Sequence, residues 1–160
     1  MSEILGTLFK YLVSLLGVAA VVLVVYQVFG SNKTQNAIAD MTQLQTNTQT
    51  LYGSQNTFTS VTNTIAIGGK LAPSGMISGT SLVNPWGGAV TINVNGTLAS
   101  RFDITEAGVP ADACAKMIVG MPSTVALTVN TVAQTLPLDP GAAVTACNAA
   151  ANTMIFTFAH

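Results

Sequence analysis

Apolar and polar residues are distributed very unevenly along the chain. From Tyr11 to Phe29 nearly every residue is apolar, mostly Val and Leu, and no charge lies between Lys10 and Lys33. About 20 such residues in a helix span a hydrocarbon layer of about 30 Å. The pattern therefore predicts one transmembrane helix, with Tyr11, Tyr26 and Phe29 at the interfaces that aromatic rings favour.

The apolar segment does not have the features of a cleaved signal peptide. A signal peptide has a basic start, a shorter apolar core and a cleavage site flanked by small residues. Here Glu3 precedes a long core, and Phe29-Gly30-Ser31 does not lead into such a site. We therefore expect the segment to be retained in the working protein.

The next segment, residues 31–52, has the pattern of an amphipathic helix. Its apolar positions recur at three- and four-residue steps, with Gln, Asn and Thr between them: Ala37/Ile38, Met41, Leu44, Thr48 and Leu51/Tyr52. We predict one rod of roughly 50 residues and about 75 Å. Either it is a membrane anchor leading into a connector helix, or it passes from the bilayer into a protein core made of copies of itself.

From Gly53 onward the pattern changes to short β-prone runs separated by Gly, Pro and Asn. Val90–Val94 alternates, Asn95-Gly96 is a tight-turn dipeptide, and the return segment carries Leu98, Phe102 and Ile104. This arrangement predicts a β-hairpin. Two further alternating runs are predicted at Val125–Val132 and Met154–Phe158. A short helix is predicted at Pro110–Val119, with Gly120 at its end, and a turn at Asp139–Gly141.

These elements predict an α+β fold, in which an antiparallel sheet packs on the polar half of the long helix. We divide the chain into an apolar transmembrane or filament-core half at residues 1–30, an amphipathic half at residues 31–52 and a globular head at residues 53–160. The chain has 160 residues, which is enough for one globular domain.

Composition narrows the function classes. Charged residues make up 7% of the chain and the net charge is -1, against roughly 25% charged residues in an ordinary soluble domain. With no basic patch to neutralise phosphates, sequence-independent nucleic-acid binding is disfavoured. The chain has one His, two Cys and six acidic residues. These are too few to form most metal-binding sites or acid–base catalytic sites. We therefore expect neither an enzyme nor a bound cofactor or metal.

The remaining candidates for chemistry have simpler interpretations. Gly68-Gly69-Lys70 lacks the upstream Gly and the following Ser/Thr of a phosphate loop, so a turn is expected. Asp103 and Glu106 have no hydrolase pattern around them and are interpreted as a solvated strand end. His160 has no second His near it in the sequence and is not expected to bind metal.

Cys114 and Cys147 are the only cysteines. A membrane segment followed by a Ser/Thr/Asn-rich domain fits export, where disulfides persist. A bond between the two would contribute about 3–4 kcal/mol in the chain-entropy model. Two buried free thiols in a cytosolic protein are the alternative. No CxxC spacing suggests zinc.

The order of these segments resembles that of the type IV pilins, and in particular the type IVb class. Asn84-Pro85-Trp86-Gly87-Gly88 followed by Val90–Val94 is similar to the stretch before that class's central strands. Pro110–Ile118 looks like its helix with the first disulfide cysteine, and Cys147 with Met154–Phe158 looks like its closing element. Within the class, the pilins of thin conjugative or adherence pili are the most similar.

The resemblance implies a long N-terminal helix packed on an antiparallel sheet, with the C-terminal region closed by a disulfide. It also implies assembly residues near the N-terminus. The family's early Glu pairs with the N-terminal amine of a neighbouring subunit, and Glu3 is the early acid here. Three alternatives remain for the charge of Glu3. It pairs with the amine of Met1 in another copy, it pairs with Lys10, or it is solvated at the headgroup layer. Ser14 and Gly17 form the expected weak point of the apolar helix.

The function implied is that of a structural subunit, the major pilin of a type IV pilus used in adhesion, aggregation or mating-pair contact. Its expected partners are identical subunits in a helical filament, the inner membrane before assembly, the pilus assembly machinery and the prepilin peptidase. Since no basic leader precedes the apolar segment, we expect a processed chain with a methylated N-terminus. The alternative is a minor pilin, a pseudopilin of type II secretion or a single-pass anchored envelope-binding domain.

Overall fold

The computed structural model describes the backbone of residues 2–160 and the side chains of residues 4, 6, 7, 9–11, 13 and 32–160. Two compact units divide the chain, Met1–Lys33 and Thr34–His160. The helices are α1 Ser2–Leu51, α2 Asn63–Gly68, α3 Ala111–Gly120 and α4 Pro140–Ala146, and a 3-10 turn covers Ser74–Met76. The strands are β1 Ile77–Ser78, β2 Ser81–Val83, β3 Ala89–Val94, β4 Arg101–Val109, β5 Ala126–Val129, β6 Val132–Gln134 and β7 Asn152–Ala159.

In the first unit, the described apolar side chains are exposed. Ile4, Phe9, Tyr11 and Val13 each keep more than half of their surface open. Among the described residues, no helix combines the length and the apolar character that a membrane crossing requires. Residues 14–31, which make up most of the predicted transmembrane segment, have side chains outside the described set, so that prediction stays a prediction.

In the second unit, the seven strands found within residues 2–160 form one antiparallel sheet in the order β1-β2-β3-β4-β7-β5-β6. The predicted hairpin is confirmed, because β3 and β4 pair with Ile92 opposite Ile104. The C-terminal strand β7 lies between β4 and β5 and pairs Phe156 with Ile104. The last strand therefore lies inside the sheet and is hydrogen-bonded to a strand on each side.

The second half of α1 packs against this sheet through the stripe that the sequence predicts. Ala37, Met41 and Leu44 are buried in one hydrophobic core with the inward residues of β3, β4 and β7. At the end of the helix the prediction is partly wrong, since Tyr52 is buried and Leu51 is exposed. Burial of this apolar face, rather than helix propensity, is the main stabilising term for such a helix.

Two local predictions are corrected. The run Val125–Val132 is not one strand, because Asn130 and Thr131 adopt positive φ values and turn the chain from β5 into β6. Asp139 does not belong to a simple turn. Its carboxylate accepts hydrogen bonds from the backbone N–H of Gly141 and Ala142 and caps α4, with Pro140 in the first turn of the helix.

Candidate assembly surfaces and a buried carboxylate

The disulfide favoured by the sequence is present in the structure. It joins Cys114, on the buried face of α3, to Cys147, which caps the C-terminus of α4. The two helices pack against each other, and the bond closes the segment that contains β5 and β6. By the chain-entropy argument, a loop with a sequence separation of 33 residues restricts the unfolded chain by about 4 kcal/mol.

Polar side chains on α1 attach the helix to the loops on either side of it. On one flank, Asn47 Nδ2 donates to the carbonyl oxygen of Leu71, 2.8 Å away, in the segment after α2. On the other flank, Gln45 Nε2 donates to Ser123 Oγ at 3.0 Å, in the loop after α3. Residues two apart on a helix point in nearly opposite directions. The α2 region and the α3 region therefore lie on opposite flanks of α1.

An apolar groove lies on the α3 flank. Its walls come from α1, α3 and α4, and its volume is about 610 Å³. Gly120 allows α3 to approach α1 closely, because a Cβ at Gly120 would lie 2.9 Å from Ile38 Cδ1. Val119 and Val144, which line the groove, are 54% and 64% exposed.

On the opposite flank, α2 presents a smaller apolar edge. Asn63 at its start fixes the helix over β3, donating from Nδ2 to the carbonyl oxygen of Val90 and accepting from the backbone N–H of Ile92. Ile65 remains 39% exposed. Lys70, just beyond the end of α2, is exposed and has a positive φ of 54°. The predicted Gly-Gly turn is thus the C-terminal end of a short helix.

A buried carboxylate is the unusual polar feature of the head. Glu106 on β4 is 0% exposed, so its interpretation as a solvated strand end is wrong. Its Oε2 accepts a hydrogen bond of 2.9 Å from Asn84 Nδ2, and its Oε1 has no hydrogen-bond partner. The sequence holds a sign of this burial, because alternation along β4 places Glu106 on the same face as Phe102 and Ile104.

Asn84 ties the carboxylate to the turn before β3. Its Oδ1 accepts from the backbone N–H of Trp86 and Gly88, and its Nδ2 also donates to the carbonyl oxygen of Ala107. The turn packs so closely on β4 that a Cβ at Gly88 would lie 1.8 Å from that oxygen. Only glycine fits at position 88, and the absence of a side chain there lets the turn lie directly against β4.

Burial raises the pKa values of the carboxyl groups of Glu106 and Asp40. Removal from water raises the pKa of Glu106 from 4.5 to about 7, the hydrogen bond from Asn84 opposes the rise, and the negative charge of Asp40 on α1 adds to it. The pKa of Asp40 is also raised by its own partial burial. The enclosed Glu106 and the partly buried Asp40 therefore both favour the protonated state more than they would in water.

The assembly residues proposed from the sequence lie at the start of the chain. Lys10 is exposed on α1. Met1 lies outside the described residues, as do the side chains of Glu3 and Ser14 and the surroundings of Gly17. The pairing of Glu3 and the weak point in the apolar helix therefore stay predictions.

The other side chains considered for chemistry have structural contacts. Asp103 accepts from Asn95 Nδ2 and Thr157 Oγ1. The ring of His160 stacks on Phe58, with 4.3 Å between the ring centroids. Within the described part of the chain, no three His, Cys, Asp or Glu side chains form a group that could hold a metal ion.

The long helix on a seven-stranded antiparallel sheet, with a disulfide between α3 and the end of α4, is the fold of a type IV pilin. The structure is similar to that of a type IVb pilin from Salmonella typhi, with a TM-score of 0.65 and 24% identity over 79% of this chain and 99% of that chain. It is also similar to TcpA, a type IV pilin from Vibrio cholerae El Tor, with a TM-score of 0.57 and 14% identity over 79% of this chain and 98% of that chain.

The sequence itself gives the family. Residues 31–159 match the family model of PilS, described as PilS N terminal, and the chain therefore belongs to the PilS family. Comparison with curated protein sequences finds no match. The resemblance to type IVb pilins stated from the sequence is confirmed.

Proposed function

We propose that this chain is the major subunit of a type IV pilus and polymerises through its N-terminal helix into a surface filament. PilS family membership and the type IVb pilin fold support the role of a structural rather than a catalytic protein. The observation that carries the proposal is the different burial of the two parts of α1. The stripe Ala37, Met41 and Leu44 is covered by the head, whereas the described apolar side chains before residue 14 are exposed.

Exposed apolar side chains on a helix favour association. Phe9, Tyr11 and Val13 lie at the start of an apolar segment that continues to Phe29. Burial is worth roughly 25 cal/mol per Å² of apolar surface. Packing of this segment against the same segment of other copies would supply that burial. If the contact joins two different faces, it repeats without closing and gives a helical filament.

Within this proposal, residues 1–30 form the filament core, residues 31–52 attach the core to the head, and residues 53–160 form the filament surface. Glu3 would pair with the amine of Met1 in a neighbouring subunit, because an unpaired carboxylate in an apolar core is costly. Lys10, exposed and close in sequence, is the alternative cation. Ser14 and Gly17 would let the core helix bend as it packs.

The setting follows from the same proposal. Before assembly the subunit is held in the bacterial inner membrane by the apolar segment, after a prepilin peptidase has processed it and its N-terminus has been methylated. The pilus assembly machinery then moves it into the extracellular filament. We propose that the filament serves in adhesion, aggregation or mating-pair contact. The low charge of the chain, -1 overall, supports dense packing because like-charge repulsion between heads is small.

The experiment is complementation of a pilus-proficient bacterium that lacks its own copy of this gene. Sheared surface material would be imaged by negative-stain microscopy after immunogold labelling of the head. A major subunit labels filaments along their whole length. Sparse label on filaments built of another protein would indicate a minor pilin instead, and the absence of labelled filaments in the complemented strain would refute the proposal.

A further inference from the structure

Glu106 lies at the point where the regular pairing of the sheet ends. In chain order it is the last residue of β4 that pairs with β3, opposite Val90. On its other side it pairs with Met154 of β7, and the register between these two strands shifts immediately beyond it. Both cross-strand neighbours are apolar and buried. Neither of them can satisfy a carboxyl oxygen, so polar cover for Glu106 has to come from another element.

That cover is the Asn84 turn, residues 84–88, which joins β2 to β3 and is held by one carboxamide. Asn84 Nδ2 donates to Glu106 Oε2 at 2.9 Å and to the carbonyl oxygen of Ala107 at 2.8 Å. Asn84 Oδ1 accepts from the backbone N–H of Trp86 and Gly88, at 3.2 and 2.8 Å. Among the described residues, no backbone hydrogen bond joins the turn to β4. The turn can therefore leave β4 without breaking the strand pairing.

The Asn84 turn is also the part of this enclosure that can move at the least cost. Trp86 is already half-buried and Gly87 is exposed. Movement of α1 would instead uncover Met41 and Leu44, which are fully buried in the core. Exposure of apolar surface is unfavourable in proportion to its area. Local opening is thus expected at the turn rather than at the helix.

The surroundings of Glu106 disfavour a negative charge. Within the described part of the chain, its Oε1 has no hydrogen-bond partner. The sequences of β2, β3, β7 and the Asn84 turn contain no charged residue, and Arg101 and Asp103 lie on the opposite face of β4. The charge that acts on Glu106 is that of Asp40 on α1, and it is negative. Burial and this neighbour both raise the pKa of Glu106, which reaches about 7.

We propose that the Asn84 turn is a pH-dependent switch on the head, closed while Glu106 is neutral and opened when Glu106 ionises. Ionisation releases the proton to water and leaves a carboxylate that an apolar enclosure cannot solvate. Opening of the turn admits water to Oε1 and uncovers Trp86. Because every residue of the switch belongs to the head, the inference does not depend on the proposed filament function.

The pH dependence of this opening has a defined form. The carboxyl group has its ordinary pKa of 4.5 in the open turn, where water surrounds it, and a pKa of about 7 in the closed turn. The ratio of open to closed molecules is then constant below about pH 4.5 and rises about tenfold per pH unit up to about pH 7. Above that pH both forms are ionised and the ratio is constant again.

The test is amide hydrogen exchange of the full-length chain in mild detergent between pH 5 and 8, corrected for the intrinsic exchange rate at each pH. The amides of Trp86 and Gly88 report on the turn, because both donate to Asn84 Oδ1. Their protection is expected to fall about tenfold per pH unit up to about pH 7 and then to level off. The amides of β7 are expected to stay more protected than those of the turn at every pH.

The hairpin turn after β3 is the matched internal control. Asn95 Oδ1 accepts from the backbone N–H of Thr97 and Leu98, at 3.1 and 3.0 Å, so the two turns are built alike. The carboxylate beside Asn95 is that of Asp103, which is half-buried rather than enclosed. Protection of Thr97 and Leu98 is therefore expected to stay constant over the same pH range.

Glu106→Gln removes the titrating group, and its turn amides are expected to be equally protected at pH 5 and pH 8. The wild-type profile is decisive even where this variant does not fold. Constant protection of Trp86 and Gly88 between pH 5 and 7 would overturn the proposal, as would an equal fall in the control turn. Turn amides as protected as those of β7 would also overturn it, because the turn would then open only with the whole head.

Discussion

Replacement of Glu106 by Gln tests how a buried carboxyl controls the stability of the head. In the folded protein, burial raises the pKa of Glu106 from 4.5 to about 7. The folded state therefore binds a proton more tightly than the unfolded state, and this contribution to stability is complete below about pH 4.5. It is lost as the pH rises through 7, where the buried group must ionise.

The size of the effect follows from the same two values. A change of one pKa unit corresponds to 1.36 kcal/mol, so the shift from 4.5 to about 7 makes the free energy of unfolding about 3 kcal/mol smaller at pH 8 than at pH 4.5. The raised pKa of Asp40 acts in the same direction. Gln keeps an oxygen that accepts from Asn84 but puts an amide nitrogen where Oε1 has no partner, at a cost of about 1–3 kcal/mol at every pH.

The assay is urea unfolding of the full-length chain in mild detergent between pH 4.5 and 8, followed by the fluorescence of Trp86. This single Trp lies in the turn that Asn84 holds next to Glu106. We expect the wild-type free energy of unfolding to fall across this range and that of Glu106→Gln to fall much less. Asp112→Asn, at an exposed position, controls for the loss of one negative charge. Parallel pH profiles for wild type and Glu106→Gln would refute the reasoning.

Three further predictions concern the disulfide and the apolar helix. Cys114→Ala with Cys147→Ala should lower the free energy of unfolding by about 4 kcal/mol on the chain-entropy estimate, measured by the same urea titration; an unchanged midpoint would contradict it. Deletion of residues 1–28 should give a soluble monomer with the same β-sheet signal in circular dichroism, and filament formation by this shortened chain would show that the apolar helix is not the core. Glu3→Ala, and nearly as strongly Glu3→Gln, should leave membrane insertion intact and reduce the number of pili seen by microscopy, because both remove the charge that we propose to pair with an amine. Normal pili in the Glu3→Ala strain would leave Glu3 as a residue solvated at the headgroup layer.

Sequence reasoning was accurate where a signal lies within a few neighbouring residues. The dipeptide Asn95-Gly96 marks the hairpin turn, and Pro110 and Gly120 mark the ends of α3. The stripe through Met41 and Leu44 gives the face of α1 that the head covers. Turn geometry, helix capping and side-chain periodicity are properties of the local backbone, and they need no knowledge of distant contacts.

The same reasoning was wrong where local signals permit more than one outcome. Val125–Val132 alternates throughout, yet Asn130 and Thr131 turn the chain because β7 provides a partner for β5 and the sheet then ends at β6. Asp-Pro-Gly at 139–141 is compatible with a turn and also with the start of a helix. In the structure it starts helix α4, which packs against α3. Such choices depend on elements that lie far away in the sequence.

The sequence by itself determined the family, the order of the elements and the separation of an apolar helix half from a polar head, because composition and periodicity are written in consecutive residues. Only the tertiary structure decided that Glu106 is enclosed, since its burial requires the Asn84 turn and α1 to close over β4. Only the tertiary structure also decided that Ile65 and Val144 face opposite flanks of α1. Their positions depend on hydrogen bonds that join Asn47 to the α2 region and Gln45 to the α3 region, and pairings over such distances leave no trace in a local pattern.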